Sequence, residues 1–464
     1  MVAGSFYLGF FICPRLMRRE SCHISTNLKN ESKILYVKTE GMMLKLKTEQ
    51  SVEQLSLYSN EYFERRYDIY KQLRNEAPVC WNEEMKSWFI TRHADMTTNL
   101  PGDRFISSQV IPLKMNNLEK GEDQHFKDII DIIKTWMVYH DRPDHTELRG
   151  YMNRAFLVNE IELITPEIKK IVATIIDRVL ESHTESFDFV EEIAHPIPAM
   201  VLCKMLGIPG TEVDKFIKWS DDIALFMQNF VVSHVPSKEI SEQVRGSVKE
   251  IYAYLSNAIA ERRKEKKNDL LSRLISETPG VNGELTDDQL IAQTMHLIFG
   301  GHKIPQFVLS NSLHLLFKNP EILKMLKKDM SLLPKVLDET MRLEGPIQYI
   351  VRHASSDIEL HGKQIRKNDS VYFFLASAGR DERVFEHPDK MDITRKGFRH
   401  MAFGGGYHTC IAAAFARAEI MEILKEVISR CPDIQPLYDL ENPEWTSNPT
   451  FTGILHMEVK VKRN

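Results

Sequence analysis

Apolar and polar positions along the chain read as mostly helical, with strand signals in two places. Between Glu61 and Asn75, apolar residues recur at Phe63, Tyr67, Tyr70 and Leu73, one face of a 3.6-residue period. Ala77-Pro78 ends that helix, because the residue before proline is pushed out of the helical region. Val79–Trp81 and Ser87–Thr91 then read as two short strands around the polar turn Asn82–Lys86. Residues 101–130 have weak periodicity and many polar residues. Residues 160–276 read as a run of helices broken at Pro196, at Gly207-Ile208-Pro209-Gly210 and at Val235-Pro236. In that run Phe226, Phe230 and Val231 stand at helical spacing, which favours core over pocket. A long helix starts at Thr286, whose hydroxyl forms a capping box with Gln289. Ile291, Met295, Leu297 and Ile298 carry it to Gly300-Gly301-His302-Lys303-Ile304-Pro305. Pro305 has no N–H, so the Gly301 carbonyl is expected to lose its helical partner and the helix to bend. Strand patterns return at Tyr349–Arg352 and Ser370–Leu375.

Candidate chemistry is concentrated in Phe403-Gly404-Gly405-Gly406-Tyr407-His408-Thr409-Cys410. Three glycines make a tight loop that brings backbone close to whatever it surrounds. The apolar run Ile411–Ala416 reads as a helix beginning just past the cysteine. Turn N–H groups and the positive end of that helix favour a thiolate at Cys410. A thiolate held in this way suits an iron ligand. Two other pairs share helix faces. His145 and Arg149 stand four apart after Pro143, and Glu339 and Arg342 stand three apart.

The stretch Phe403–Cys410 resembles the haem-binding loop of the cytochromes P-450, Phe-x-x-Gly-x-His/Arg-x-Cys-x-Gly. Phe403, Gly406, His408 and Cys410 fall on the pattern, and Ala412 replaces its last glycine. Arg417 and Glu419 fit the family's Ala-Arg-x-Glu. The resemblance covers about 400 residues and implies a mainly α fold with a small β region, of the soluble bacterial type. It implies haem b (iron protoporphyrin IX) with Cys410 as the metal ligand and Phe403 packed near the thiolate. His145, Arg149, Arg352 and His408 would hold the propionates. Glu339 and Arg342, joined by Arg395, would form the family's scaffold network. Residues 101–130 would loop over the substrate pocket. The family's long helix crosses the oxygen site, so Gly300 and Gly301 would line it. An acid and a threonine normally follow and relay protons. Lys303 and Ile304 stand there instead, the largest departure from the pattern.

The activity implied is insertion of one oxygen atom from O2 into a small organic substrate, in secondary metabolism. Electrons would come from a separate ferredoxin or flavodoxin and its reductase. Lys303 and Ile304 leave two alternatives open: a peroxide-dependent or non-oxygenating haem-thiolate enzyme, or a catalytically silent haem-binding protein. Lys303 itself has two readings: it turns to solvent or to a structural carboxylate, or it anchors a substrate carboxylate.

Composition adds limits. The chain has 464 residues with net charge −5, so there is no basic excess to argue for nucleic acid. Cys13, Cys22, Cys80, Cys203, Cys410 and Cys431 show no metal-cluster or disulfide spacing, which places the chain in a reducing compartment, the cytoplasm. Residues 1–50 read as an N-terminal extension, disordered or preceding a true start at Met42 or Met43. Its apolar run Ser5–Cys13 is too short to span a bilayer. Residues 51–464 read as a single domain, expected to be a monomer.

Overall fold

The computed structural model describes residues 24–26, 35–39, 42–46, 54–119, 121–182, 185–232, 235–275 and 285–461. The chain divides into two units, Met1–Leu55 and Ser56–Asn464. In the first, strands Ile24–Thr26, Leu35–Thr39 and Met42–Leu46 form an antiparallel sheet in chain order. The other residues of the expected extension lie outside the described residues, and so does its apolar run.

The second unit is mainly helical. Its first helix, Asn60–Glu76, opens where Ser59 accepts the Tyr62 N–H at 3.1 Å. Tyr62, Ile69, Tyr70 and Leu73 are its buried apolar side chains, and they recur at the helical period. The expected hairpin follows as Val79–Asn82 and Ser87–Ile90, with Trp81 opposite Trp88. This hairpin is one side of a five-stranded sheet. Ser370–Phe373 runs parallel to Ser87–Ile90, then Ile350–Ala354 and Phe105–Ile106 complete it. Arg352 sits on this sheet opposite Val371, and its position is therefore fixed by pairing rather than by a loop.

Residues 101–130 depart from the loop expectation. Short helices form at Val110–Asn116 and Lys127–Ile133. Each spans about two turns, too few to establish a period in the sequence, and each is held by tertiary burial of Ile111 or of Ile129, Ile130 and Ile133. The helical run follows as Val158–Ser182, Pro196–Leu206, Val213–Val232, Lys238–Lys264 and Leu270–Ile275. The foreseen breaks hold. Pro196 begins its helix, and Gly207 ends it with φ 70°, a left-handed conformation that suits glycine. Phe226 and Phe230 are core, in contact with Phe126.

The central helix, Asp287–Lys318, has both arms of its capping box, Gln289 N to Thr286 Oγ1 at 3.2 Å and Thr286 N to Gln289 Oε1 at 2.9 Å. It continues unbroken across Pro305. It packs against Pro196–Leu206, Val213–Val232, Leu333–Leu343 and Ala413–Arg430. Behind it, Glu339 and Arg342 form a buried bidentate pair at 2.7 and 2.8 Å. Arg395 approaches Glu339 at 3.4 Å, and Arg342 also donates to the carbonyls of Gly379 and Lys390, each at 2.9 Å. Every polar atom of the pair finds a partner, which a buried ion pair requires. Among the described residues no helix is long and apolar enough to cross a membrane.

Candidate active site

The cysteine loop is closed by its own backbone. Cys410 N–H donates to Phe403 O at 2.9 Å, Gly404 N–H to Met401 O at 2.7 Å, and Thr409 Oγ1 to Gly406 O at 2.8 Å. Gly404 and Gly406 have φ of 71° and 68°. A Cβ at Gly406 would also stand 2.3 Å from Leu100 O, so no other residue fits there. Ala412, in contrast, has φ −92°, and glycine has no conformational advantage at that position. The sequence departure at Ala412 is therefore neutral for the backbone.

Cys410 is exposed, yet enclosed enough that burial pushes its thiol up. The Ala412 N–H and the Arg149 charge act in the opposite direction, toward thiolate. Around the loop stand the four basic groups expected from the sequence. Arg149 donates to Tyr407 O at 3.1 Å. Arg352 is buried and donates to the carbonyl of Val351 at 2.7 Å. Neither arginine pairs with a carboxylate among the described residues. The His145 and His408 rings are 4.3 Å apart. Both nitrogens of His145 and Nε2 of His408 are buried without partners. Burial, aided by the neighbouring His408 and Arg149, pulls His145 down to about 3, so its imidazole is neutral.

The organiser of this cluster is Asp141, which the sequence reading passed over. Asp141 accepts the N–H groups of Ser107 and Ser108, each at 2.9 Å, and the Tyr407 hydroxyl at 3.1 Å. Partial burial would raise the carboxyl, but His408 together with the Ser107 and Ser108 donors holds it well below the usual range. His408 Nε2 stands 3.8 Å from Asp141 Oδ1, an electrostatic contact beyond hydrogen-bond distance. The only signal was its position two residues before Pro143 in a stretch already singled out.

On the central helix, the residues that are not buried between Met295 and Pro305 are His296, Leu297, Phe299, Gly300, Gly301, Lys303 and Ile304. His296, Gly300 and Lys303/Ile304 recur at the helical period, so one stripe of an otherwise buried helix faces open space. The two glycines divide the work. A Cβ at Gly300 meets nothing within 4 Å, whereas one at Gly301 would stand 3.1 Å from Leu202 Cδ2. Gly300 keeps the stripe open, and Gly301 lets the next helix approach.

Lys303 takes the first of its two readings. Its ammonium lies 2.7 Å from Asp221 Oδ1, 3.3 Å from His195 Nε2 and 3.2 Å from Gln306 Oε1. Burial would raise Asp221, but His195 and Lys303 hold it at about 2. His195, Asp221 and His302 each bring one potential metal-ligating atom within 4.8 Å of the others. The Lys303 ammonium is already the cation of that cluster. Ile304 is half-buried and offers no hydrogen bond.

Two arginines without a carboxylate partner among the described residues, and buried imidazole nitrogens without a hydrogen bond there, stand beside an exposed cysteine; they fit a group with carboxylates at its edge and a metal preferring soft sulfur at its centre. This donor set and the mainly helical scaffold fit a haem-thiolate protein. The sequence pattern described as Cytochrome P450 matches residues 113–447. The chain belongs to the cytochrome P450 family. It is 30% identical over 377 residues to Cytochrome P450 CYP107DY1 of Priestia megaterium, covering 80% of this chain and 89% of that one. Over 328 residues it is 30% identical to the Cytochrome P450 monooxygenase PikC of Streptomyces venezuelae, covering 70% and 76%. The solved structure of Cytochrome P450 CYP109Q5 from Chondromyces apiculatus matches with TM-score 0.78 and 26% identity, over 89% of this chain and all of that one. The chain is a monooxygenase of bacterial type that takes small-molecule substrates and electrons from redox partners.

Proposed function

We propose that Cys410 ligates haem b, that Arg149, Arg352, His145 and His408 hold its propionates, and that the chain oxidises a neutral organic substrate in secondary metabolism. The observation that carries the cofactor assignment is the set of arginines without a carboxylate partner, and of buried imidazole nitrogens without a hydrogen bond, among the described residues around Cys410. Bound there, haem supplies transfer of one oxygen atom from O2, with two electrons delivered in sequence. The protein's part is to bind, orient and exclude. Arg149 and Arg352 pair with carboxylates in a buried place, and neutral His145 donates an N–H without adding charge. The Ala412 N–H steadies sulfur as thiolate. Gly300 leaves room beside the helix for the substrate carbon.

Ile304 cannot pass a proton, and the Lys303 donors are occupied by Asp221, His195 and Gln306. Protons therefore reach the open stripe by ordered water rather than by side chains of the helix. The electron donor is a separate ferredoxin or flavodoxin with its reductase, and the protein acts as a cytoplasmic monomer. The relatives support a polycyclic or macrocyclic substrate, since their names include 6-deoxyerythronolide B hydroxylase and Steroid C26-monooxygenase. The test is the absorption of the reduced carbon monoxide adduct. Wild type should show the long-wavelength band of thiolate-ligated haem and Cys410→Ser should not. A Cys410→Ser protein that keeps that band disproves the ligand assignment. Turnover with NADPH and surrogate redox proteins, set against turnover with peroxide, then decides the oxidant.

A further inference from the structure

Gln293 grips the segment before the site at two points. Its Oε1 accepts the Met137 N–H at 2.9 Å, and its Nε2 donates to Thr135 O at 2.6 Å. The residue between those two anchors is Trp136, which is 1% exposed. Its ring lies 5.0 Å from that of His296 at an interplanar angle of 13°, and 5.8 Å from Phe299 at 26°. His296 and Phe299 thus form one stacked set with Trp136, and the Gln293 clamp fixes that set to the central helix. His296 is four residues before Gly300, on the same face and about 6 Å along the axis.

The ring of His296 is partly exposed, and neither nitrogen has a hydrogen-bond partner among the described residues. An imidazole in the core would bond both nitrogens or bury them at a cost. This one is instead held by stacking on Trp136, on the helix face that also carries Gly300. We propose that His296 is a specificity-determining residue that hydrogen-bonds a neutral oxygen of the substrate, a hydroxyl or ketone about one helical turn from the carbon presented at Gly300. Gln293 and Trp136 are its positioning residues. Burial pulls His296 down to about 4, so at neutral pH it offers one N–H and one lone pair, and no charge. That chemistry matches an alcohol or ketone and gives a carboxylate no ion-pair gain. The half-buried Leu297 and Ile304 on either side favour a hydrocarbon body.

This assignment rests on the monooxygenase reading and deepens it. Its test is calorimetric binding to the haem-loaded full chain, with cyclododecanol, cyclododecanone and cyclododecane as probes. Wild type should bind the alcohol and the ketone about 10-fold more tightly than the hydrocarbon, the value of one well-placed hydrogen bond. His296→Leu should bring that ratio to about one, and His296→Gln should keep most of it. Trp136→Leu should lower it without touching any hydrogen-bonding group of His296. Thermal midpoints confirm that each variant is folded, and the carbon monoxide band confirms its haem. A wild type that does not discriminate among the probes overturns the assignment, as does discrimination that survives in His296→Leu. A wild type without the carbon monoxide band sinks the haem-thiolate reading instead, so the two failures are distinguishable.

Discussion

The Lys303 ammonium and the Asp221 carboxylate meet at 2.7 Å across two helices, Asp287–Lys318 and Val213–Val232. The acid that this family normally carries on the central helix stands instead on its neighbour, with the cation in its former place. Lys303→Glu alone would set two carboxylates against each other. We expect it to lower stability by about 1–2 kcal/mol, and Asp221→Lys to restore most of that in the double variant. Urea midpoints of the four proteins measure the coupling. Equal losses in the single and double variants would show that the pair contributes nothing.

The same carboxylate gives a pH signature. The folded value of Asp221, about 2, lies below the ordinary aspartate value of 3.8. Its contribution is therefore complete above about pH 4 and disappears as pH falls toward about 2. The stability difference between wild type and Asp221→Asn should shrink over that window and stay flat from pH 5 to 7. A difference that grows on acidification would reverse the sign and rule out the pairing.

His145 titrates in a separate window. Its folded value is about 3, against an ordinary 6.5, because its ring is buried among other basic groups. The unfolded chain takes up that proton first, so acid removes stability progressively from about pH 6.5 down toward 3. The haem-free protein should show this slope, and His145→Phe should reduce it by the share of one proton, because burial also holds His296, His302, His314 and His353 down. Adding haem should remove that same share, since a propionate gives the protonated ring a partner. An unchanged slope in His145→Phe would assign the acid sensitivity to another group.

Glycine substitutions separate backbone from pocket. Gly406→Ala combines a φ of 68° with an approach of 2.3 Å to Leu100 O, and should cost about 3 kcal/mol or more. Gly300→Ala meets nothing within 4 Å and should leave the melting temperature nearly unchanged. It should nonetheless weaken substrate binding, because its methyl projects from the open stripe. Scanning calorimetry and spectral titration read the two effects independently.

Breaking the buried pair tests the scaffold. Glu339→Gln leaves Arg342 charged and short of its partner in a fully buried place, at an expected cost of about 3–5 kcal/mol. Chemical denaturation of the haem-free chain measures it. A loss below about 1 kcal/mol would mean that the carbonyls of Gly379, Pro388 and Lys390 suffice around Arg342.

What the sequence disclosed was local. Ser59 and Thr286 cap helices with side chains only a few residues away, and the glycines at 404 and 406 are required by their own dihedrals. Glu339 and Arg342 meet because a helix brings positions three apart together. The short helices at Val110–Asn116 and Lys127–Ile133 were hidden, since their burial comes from distant helices rather than from their own period. Asp221 looked like any surface acid, because its partner comes from a helix it meets only after folding. Trp136 and His296 likewise meet only through tertiary packing, and no spacing rule relates them. The role of Lys303 was left as two alternatives for the same reason.

Asp141 has a consequence of a different kind. One carboxylate holds the backbone of Ser107 and Ser108, in the segment expected to loop over the substrate pocket, and also the phenol of Tyr407 in the cysteine loop. Under the proposed function, Asp141 thereby links substrate preference to the setting of the sulfur. A lineage that remodels the 107–108 segment to admit a new compound also strains the hydrogen bond that steadies the loop around the thiolate. Directed evolution of this protein for altered scope should accordingly drift in reduction potential, and compensating changes should recur at Asp141 and Tyr407.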